Sequence, residues 1–317
     1  MQEITTAGTD KTKKTGYFRR LGRDIRNHKM IYLMAIPVLI YFLIFKYGPM
    51  YGSIIAFKDY NVSDGILGSP WVGFKHFIDF FHTADFVRIV RNTLKISIGT
   101  LIFSFPVPII FALLLNELKS RPFARITQTV TYLPHFISMV VICGMIKEFT
   151  TMDGMITQFL TLFGMKPQNM LNNKDLFLPI YIISDIWQTF GWGSIIYLAA
   201  LAGVDQEQYE AACIDGAGKL RQTWYITIPG ILPTIIVMLI LRVGGLVNVG
   251  QEKIILLYNP LTYETADVIS SYVYRRGLND FAWSFSTAVG LLQSVVNCIL
   301  LLITNYLSWR FSETSLW

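Results

Sequence analysis

Residues 210–229 read EAACIDGAGKLRQTWYITIP. Glu210-Ala211-Ala212 is strong helix-forming material. Gly216 and Gly218 are poor in a helix interior and well suited to a bend. Beyond the bend, Leu220, Trp224 and Ile228 recur at spacing four, an apolar stripe on one helix face. The stretch therefore predicts two short helices with a turn near Gly216–Gly218. On either side lie apolar runs, 177–201 and 230–250, and about 20 such residues cross a bilayer core as a helix. A structured polar loop between two spans predicts a bundle of transmembrane helices.

Working outward, four more segments qualify or nearly qualify as spans: 30–51, 93–115, 127–149 and 284–307. The composition agrees. Of 317 residues, 53% are hydrophobic and 15% charged, and mean hydropathy is +0.45. A soluble domain carries about 25% charged residues, so a water-soluble enzyme, a fibre and a disordered chain are excluded. Pro37, Pro106, Pro108, Pro134, Pro233, Gly244 and Gly245 fall inside the runs. They fit either kinked helices around a path or ordinary membrane-helix usage. Cys143, Cys213 and Cys298 lie far apart and give neither a disulfide framework nor a metal spacing.

Orientation follows from Lys and Arg. One side holds fourteen, eight of them in a polar leader over 1–29, with Lys119, Arg121, Arg125, Lys219, Arg221 and Arg310. The other side holds nine, spread over longer loops. Both termini are thus expected in the cytoplasm, with the leader forming an interfacial basic helix rather than a cleavable signal. Loops 52–92, 150–176 and 251–283 then face outward, and 154–165 is expected to lie as a helix on the outer surface. The domains read as the leader 1–29, a six-span domain 30–308 with the loop 204–229, and a cytoplasmic tail 309–317.

The loop also resembles a family signature. Glu-Ala-Ala, three residues, Gly, nine residues, Ile, one residue and Leu-Pro mark permease subunits of binding-protein-dependent ABC importers. Here stand Glu210, Ala211, Ala212, Gly216, Ile226 and Ile228-Pro229, with Ile228 for Leu the one departure. Asp215-Gly216-Ala217 resembles the sugar-importing members. The stretch LYNPLTYETADVISSYVYRRGL over 257–278 is similar to an outer loop of permeases for pectin, rhamnogalacturonan or alginate fragments.

The resemblance implies an all-α transmembrane fold, the six-helix type I ABC importer permease. It implies a carbohydrate path at the cell membrane, built from this chain and a second permease subunit, a paralogue. A cytoplasmic ABC ATPase dimer would bind ATP and Mg, while this chain binds no cofactor. An extracytoplasmic solute-binding protein would deliver an oligosaccharide. Glu210, Ala211, Ala212, Asp215, Gly216, Ala217, Ile226 and Pro229 would form the coupling element, Glu210 meeting a basic residue of the ATPase. A surface charge pair contributes only ~0–1 kcal/mol, so Ala211, Ala212 and the apolar stripe are expected to carry much of the docking.

No catalytic or metal constellation is readable, and no nucleic-acid partner is expected. GAGK over 216–219 fails as a phosphate loop, because Cys213 and Leu220 stand where Gly and Ser/Thr are required. The four His show no ligand spacing. Asp185 and Arg242 lie deep in spans, where charges face a cavity or a partner; they line a path or pair with each other. Tyr132, His135, Trp187, Gln188, Trp192, Asn248 and Gln251 have the aromatic faces and polar groups a sugar path needs, although aromatic residues also belt membrane interfaces. A permease for a non-sugar solute, a secondary transporter relaying through Asp185, and a membrane enzyme are the alternatives.

Overall fold

A computed structural model describes Asp24, residues 26–312 and residues 315–316. The expected leader helix lies almost wholly outside them, as does part of the 309–317 tail. Among the described residues the chain is helical, with one isolated antiparallel bridge between Lys58 and Trp71. It divides into two compact units, with the boundary between Ile54 and Ile55.

The first unit holds most of α1 (Lys29–Phe57), a 29-residue helix of mean hydropathy 2.0. It continues past Pro37 and contains a π turn at Leu43–Tyr47.

The second unit holds α2 (Lys75–His82), α3 (Phe86–Asn116), α4 (Arg121–Phe136), α5 (Met139–Phe149), α6 (Met155–Thr161) and α7 (Lys174–Leu201). It continues with α8 (Gln206–Ile214), α9 (Lys219–Gly244), α10 (Gln251–Leu257), α11 (Ile269–Tyr274) and α12 (Trp283–Ser312). Helices α1, α3, α9 and α12 are each long and apolar enough to cross a membrane.

The two remaining expected spans differ from simple rods. Segment 127–149 is α4 and α5, bent by 97°. Pro134 brings no N–H to the ladder, and Ser138 starts α5 afresh by accepting from the Val141 amide at 3.4 Å. Segment 177–201 is α7, 28 residues long and about 42 Å at 1.5 Å per residue. It is less apolar because Ser184, Asp185, Gln188 and Thr189 interrupt it. Helix α7 packs along the second half of α3 and also touches α4 and α9, so its polar residues face protein rather than lipid. Gly191 permits the contact with α4, since a Cβ there would run into the Thr131 carbonyl. Small residues allow such close helix approach in membranes.

Two sequence expectations are corrected. The second arm of the 204–229 loop is not a separate short helix. It runs on without a break as the start of α9, through a π turn at Thr223–Thr227. The fifth expected span, 230–250, stays helical only to Gly244, and residues 245–250 are non-helical. Segment 154–165, expected on the outer surface, is helical over α6 alone.

Candidate coupling and translocation sites

Helix α8 begins with Asp205, whose carboxylate accepts from the Glu207 amide at 3.0 Å. It ends at a left-handed glycine, Gly216, with φ +72°. The Ala217 amide donates to the Ala212 carbonyl at 2.8 Å, and the Gly216 amide to the Cys213 carbonyl at 3.1 Å. This pair of bonds closes a helix end through a residue that must take positive φ. Gly218 differs, having φ −70° as the residue before α9, so of the two glycines only Gly216 meets a conformational demand.

The two arms are fastened to each other. Buried Gln222 donates to the Ala217 carbonyl at 2.8 Å. The Tyr209 and Thr227 hydroxyls bond at 2.9 Å. Lys219 pairs with Glu117, which lies between α3 and α4, at 3.2 Å. Ile226 packs inward against the cluster of Ala112, Tyr197, Leu201, Val204 and Ile231, so it anchors the element rather than presenting a contact.

The outer face is apolar and open. Ile214 is 87% exposed and Leu220 80%, and Trp224 and Tyr225 are exposed beside them. Glu210, Ala211, Asp215 and Pro229 are exposed, and Ala212 and Ala217 half-buried. Glu210 and Ile214 line an open groove of about 510 Å³ that also includes Glu117 and Lys219. The expected stripe of Leu220 and Trp224 therefore faces outward, while Ile228 is half-buried.

A second site lies between α3, α7 and α9. Two cavities, about 350 and 200 Å³, share Asp185 and Arg242 in their walls. Among the described residues, no ion pair joins these two side chains. The smaller cavity is lined by the non-helical segment, including Asn248 and Gly250. Irregular backbone at membrane depth is tolerated where it is buried in protein or lines a water-filled cavity. Here polar side chains hold it: Gln293 donates to the Val247 carbonyl at 2.8 Å and the Asn248 side chain at 3.0 Å, the Asn297 carbonyl oxygen accepts from the Val247 amide at 3.1 Å, and the Ser97 hydroxyl donates to Leu246.

Of the sequence candidates, Asp185 and Asn248 meet in this cavity. His135 and Trp192 stack on each other, ring centres 4.6 Å apart and nearly parallel. Gln251 lines a different cavity with Tyr60 and Trp283. Gln188 is buried, Tyr132 half-buried and Trp187 exposed, and none of the three lines the Asp185 cavities. Sequence reasoning missed Tyr181, Ser104, Thr189, Gln293 and Asn297. Tyr181, Ser184, Asp185 and Gln188 recur at helical spacing, as do Gln293 and Asn297, and that polar periodicity inside apolar runs was the available signal.

The segment joining α10 to α11 is latched. Asp267 is fully buried and accepts two bonds from the Arg275 guanidinium, at 3.1 and 2.7 Å. Arg88 of α3 reaches the same carboxylate at 3.5 Å, and Ser271 donates to it at 2.8 Å.

Residues 104–313 match the family described as binding-protein-dependent transport system inner membrane component. The chain is similar to protein LplB of Bacillus subtilis (strain 168), 46% identical over 314 residues, covering 99% of this chain and 96% of that protein. It is similar to the polygalacturonan/rhamnogalacturonan transport system permease protein YteP of the same organism, 44% identical over 300 residues, covering 94% of each. Among solved structures it matches a bacterial ABC transporter involved in the import of the acidic polysaccharide alginate. That match has 42% identity and TM-score 0.85, over 92% of this chain and 99% of that chain.

Proposed function

The chain belongs to the inner-membrane components of binding-protein-dependent transport systems, and from that premise we propose that it is one of two permease halves of an ATP-driven oligosaccharide importer. The observation that carries the coupling role is the exposed apolar crown of Ile214, Leu220, Trp224 and Tyr225 on a hooked, internally fastened element. Such a surface suits a protein cleft that moves with it. The occupant is a cytoplasmic ABC ATPase dimer, which binds ATP and Mg; this chain is not catalytic. Both termini then lie in the cytoplasm, and a paralogous permease supplies the second coupling helix. An extracytoplasmic solute-binding protein delivers the cargo, as the family description implies.

The cargo in this reading is a fragment of a plant or algal polysaccharide, supported by the cargoes named for YteP and the alginate transporter. The path runs through the cavities shared by Asp185 and Arg242, with the non-helical segment 245–250 as one wall. Uptake of labelled oligogalacturonide into cells tests the reading. Uptake should survive collapse of ion gradients and stop when ATP is depleted. The reverse pattern would identify a secondary transporter.

A further inference from the structure

The walls of the two shared cavities hold one cation and one carboxylate, Arg242 and Asp185, and a second cation contacts the wall residue Tyr181 from behind. Arg242 lines both, and among the described residues its guanidinium has no ion-pair partner. Lys253 stands directly behind the smaller cavity and is 2% exposed. Its ammonium donates to the Tyr181 carbonyl at 3.2 Å and lies 4.8 Å from the centre of that ring. Tyr181 lines the smaller cavity, four residues before Asp185 on α7. The nearby acidic groups are few. Asp185 is the one carboxylate in either wall, Glu252 is exposed, and Cys143 is a buried thiol. Two cations thus surround one carboxylate. Arg242 is the exposed member of the pair and Lys253 the buried one, so the Arg242 guanidinium is open to an arriving anion while Lys253 adds positive potential behind it. Ser104 lines the larger cavity with a buried hydroxyl that has no partner among the described residues, beside Thr189. It leaves a free hydrogen-bonding group next to the charged centre.

We propose that Arg242 receives the carboxylate of a uronate residue, so that this chain itself selects acidic over neutral oligosaccharides within the membrane. The inference rests on the oligosaccharide-import reading above and adds a charge filter to it. The planar guanidinium matches a carboxylate in two parallel hydrogen bonds. Lys253 raises the local positive potential without entering the cavity. Ser104 and Thr189 meet the hydroxyls of the same sugar ring. Asp185 repels a second carboxylate, which limits the filter to one acidic group at a time.

The test uses the complete importer, with its ATPase, partner permease and binding protein, in proteoliposomes. Trigalacturonate and its fully methyl-esterified, neutral form are the probes, each at a concentration that saturates the binding protein. Arg242→Gln should lower trigalacturonate uptake about ten- to hundredfold, the loss expected for a charge-assisted contact. Uptake of the neutral ester should change by less than about threefold, the scale of a surface substitution. Arg242→Lys should recover much of the acidic uptake, because it restores the charge. Equal losses on both probes, or no loss on either, would overturn the charge filter while leaving the importer reading intact. A wild-type complex that transports neither probe while hydrolysing ATP would overturn the oligosaccharide reading and the filter with it.

Discussion

Gly216 is the position where the coupling element can be weakened by a calculable amount. Its φ of +72° is enforced by the two bonds that close α8, from Ala217 to Ala212 and from Gly216 to Cys213. A Cβ placed there meets nothing within 4 Å, so a side chain adds no clash and the cost is purely conformational. A left-handed L-residue costs roughly 1–2 kcal/mol, less for Asn and Asp, and more for a β-branched residue. One to two kcal/mol corresponds to a factor of about 5–30 in the population of the hooked loop. The assay is ATP-driven uptake together with ATPase rate in proteoliposomes, normalised to the amount of each variant in the membrane. Uptake should fall in the order Gly, Asn, Ala, Val, with ATP hydrolysis persisting, so that hydrolysis and transport part company. Gly216→Asp should fold and uncouple in the same way. Gly218→Ala is the internal control: its φ of −70° is open to any residue, and uptake should stay near wild type. Full uptake by Gly216→Val, or equal damage from Gly218→Ala, would refute the reasoning.

Three other outcomes are expected. Gly191→Ala should lower the melting temperature in detergent, since its Cβ would run into the Thr131 carbonyl and overpacking costs about 1–3 kcal/mol; an unchanged melting temperature would show that α4 and α7 can separate freely. Asp267→Asn should destabilise by on the order of 3 kcal/mol, because it strips the Arg275 guanidinium of its buried partner, and limited proteolysis should then cut residues 258–268 faster than in wild type. The third concerns pH. Burial pushes the Lys253 ammonium from 10.5 down to about 8, against the pull of Asp185. Its charge is present below that value and lost above it. The ratio of trigalacturonate to neutral-ester uptake should therefore fall as pH rises through about 8, and Lys253→Met should flatten the profile.

Local features of the site were legible in the sequence because they depend on near neighbours. Glu210-Ala211-Ala212 and Gly216 specify a helix and its stop without help from the rest of the chain. The second arm was not legible as part of α9. Pro229 reads as the end of the loop and residue 230 as the start of a separate span, yet the helix runs on through a π turn ahead of Pro229. The apolar run through Leu246, Val247 and Val249 likewise reads as span. Hydropathy records burial rather than helicity, and the polar clamp from Gln293 and Asn297 that holds this backbone open is distant in sequence. Pro134 in the third span fitted either a kink or ordinary membrane-helix usage, and the 97° angle depends on how α4 and α5 pack. Lys253 counted only as an outer-loop charge, since nothing in its local sequence shows that α10 tucks against Ile142 and Tyr181.

The central claim is that the crown of residues 214–225 seats on an ATPase. A cysteine introduced at Leu220, in a Cys213→Ser and Cys298→Ser background, should crosslink to the co-expressed ATPase with a short bifunctional reagent in intact membranes. The yield should change when ATP is trapped by vanadate. Absence of any ATPase adduct at Leu220, Ile214 or Trp224, with all three variants present in the membrane and the ATPase co-purifying through another surface, would contradict the account.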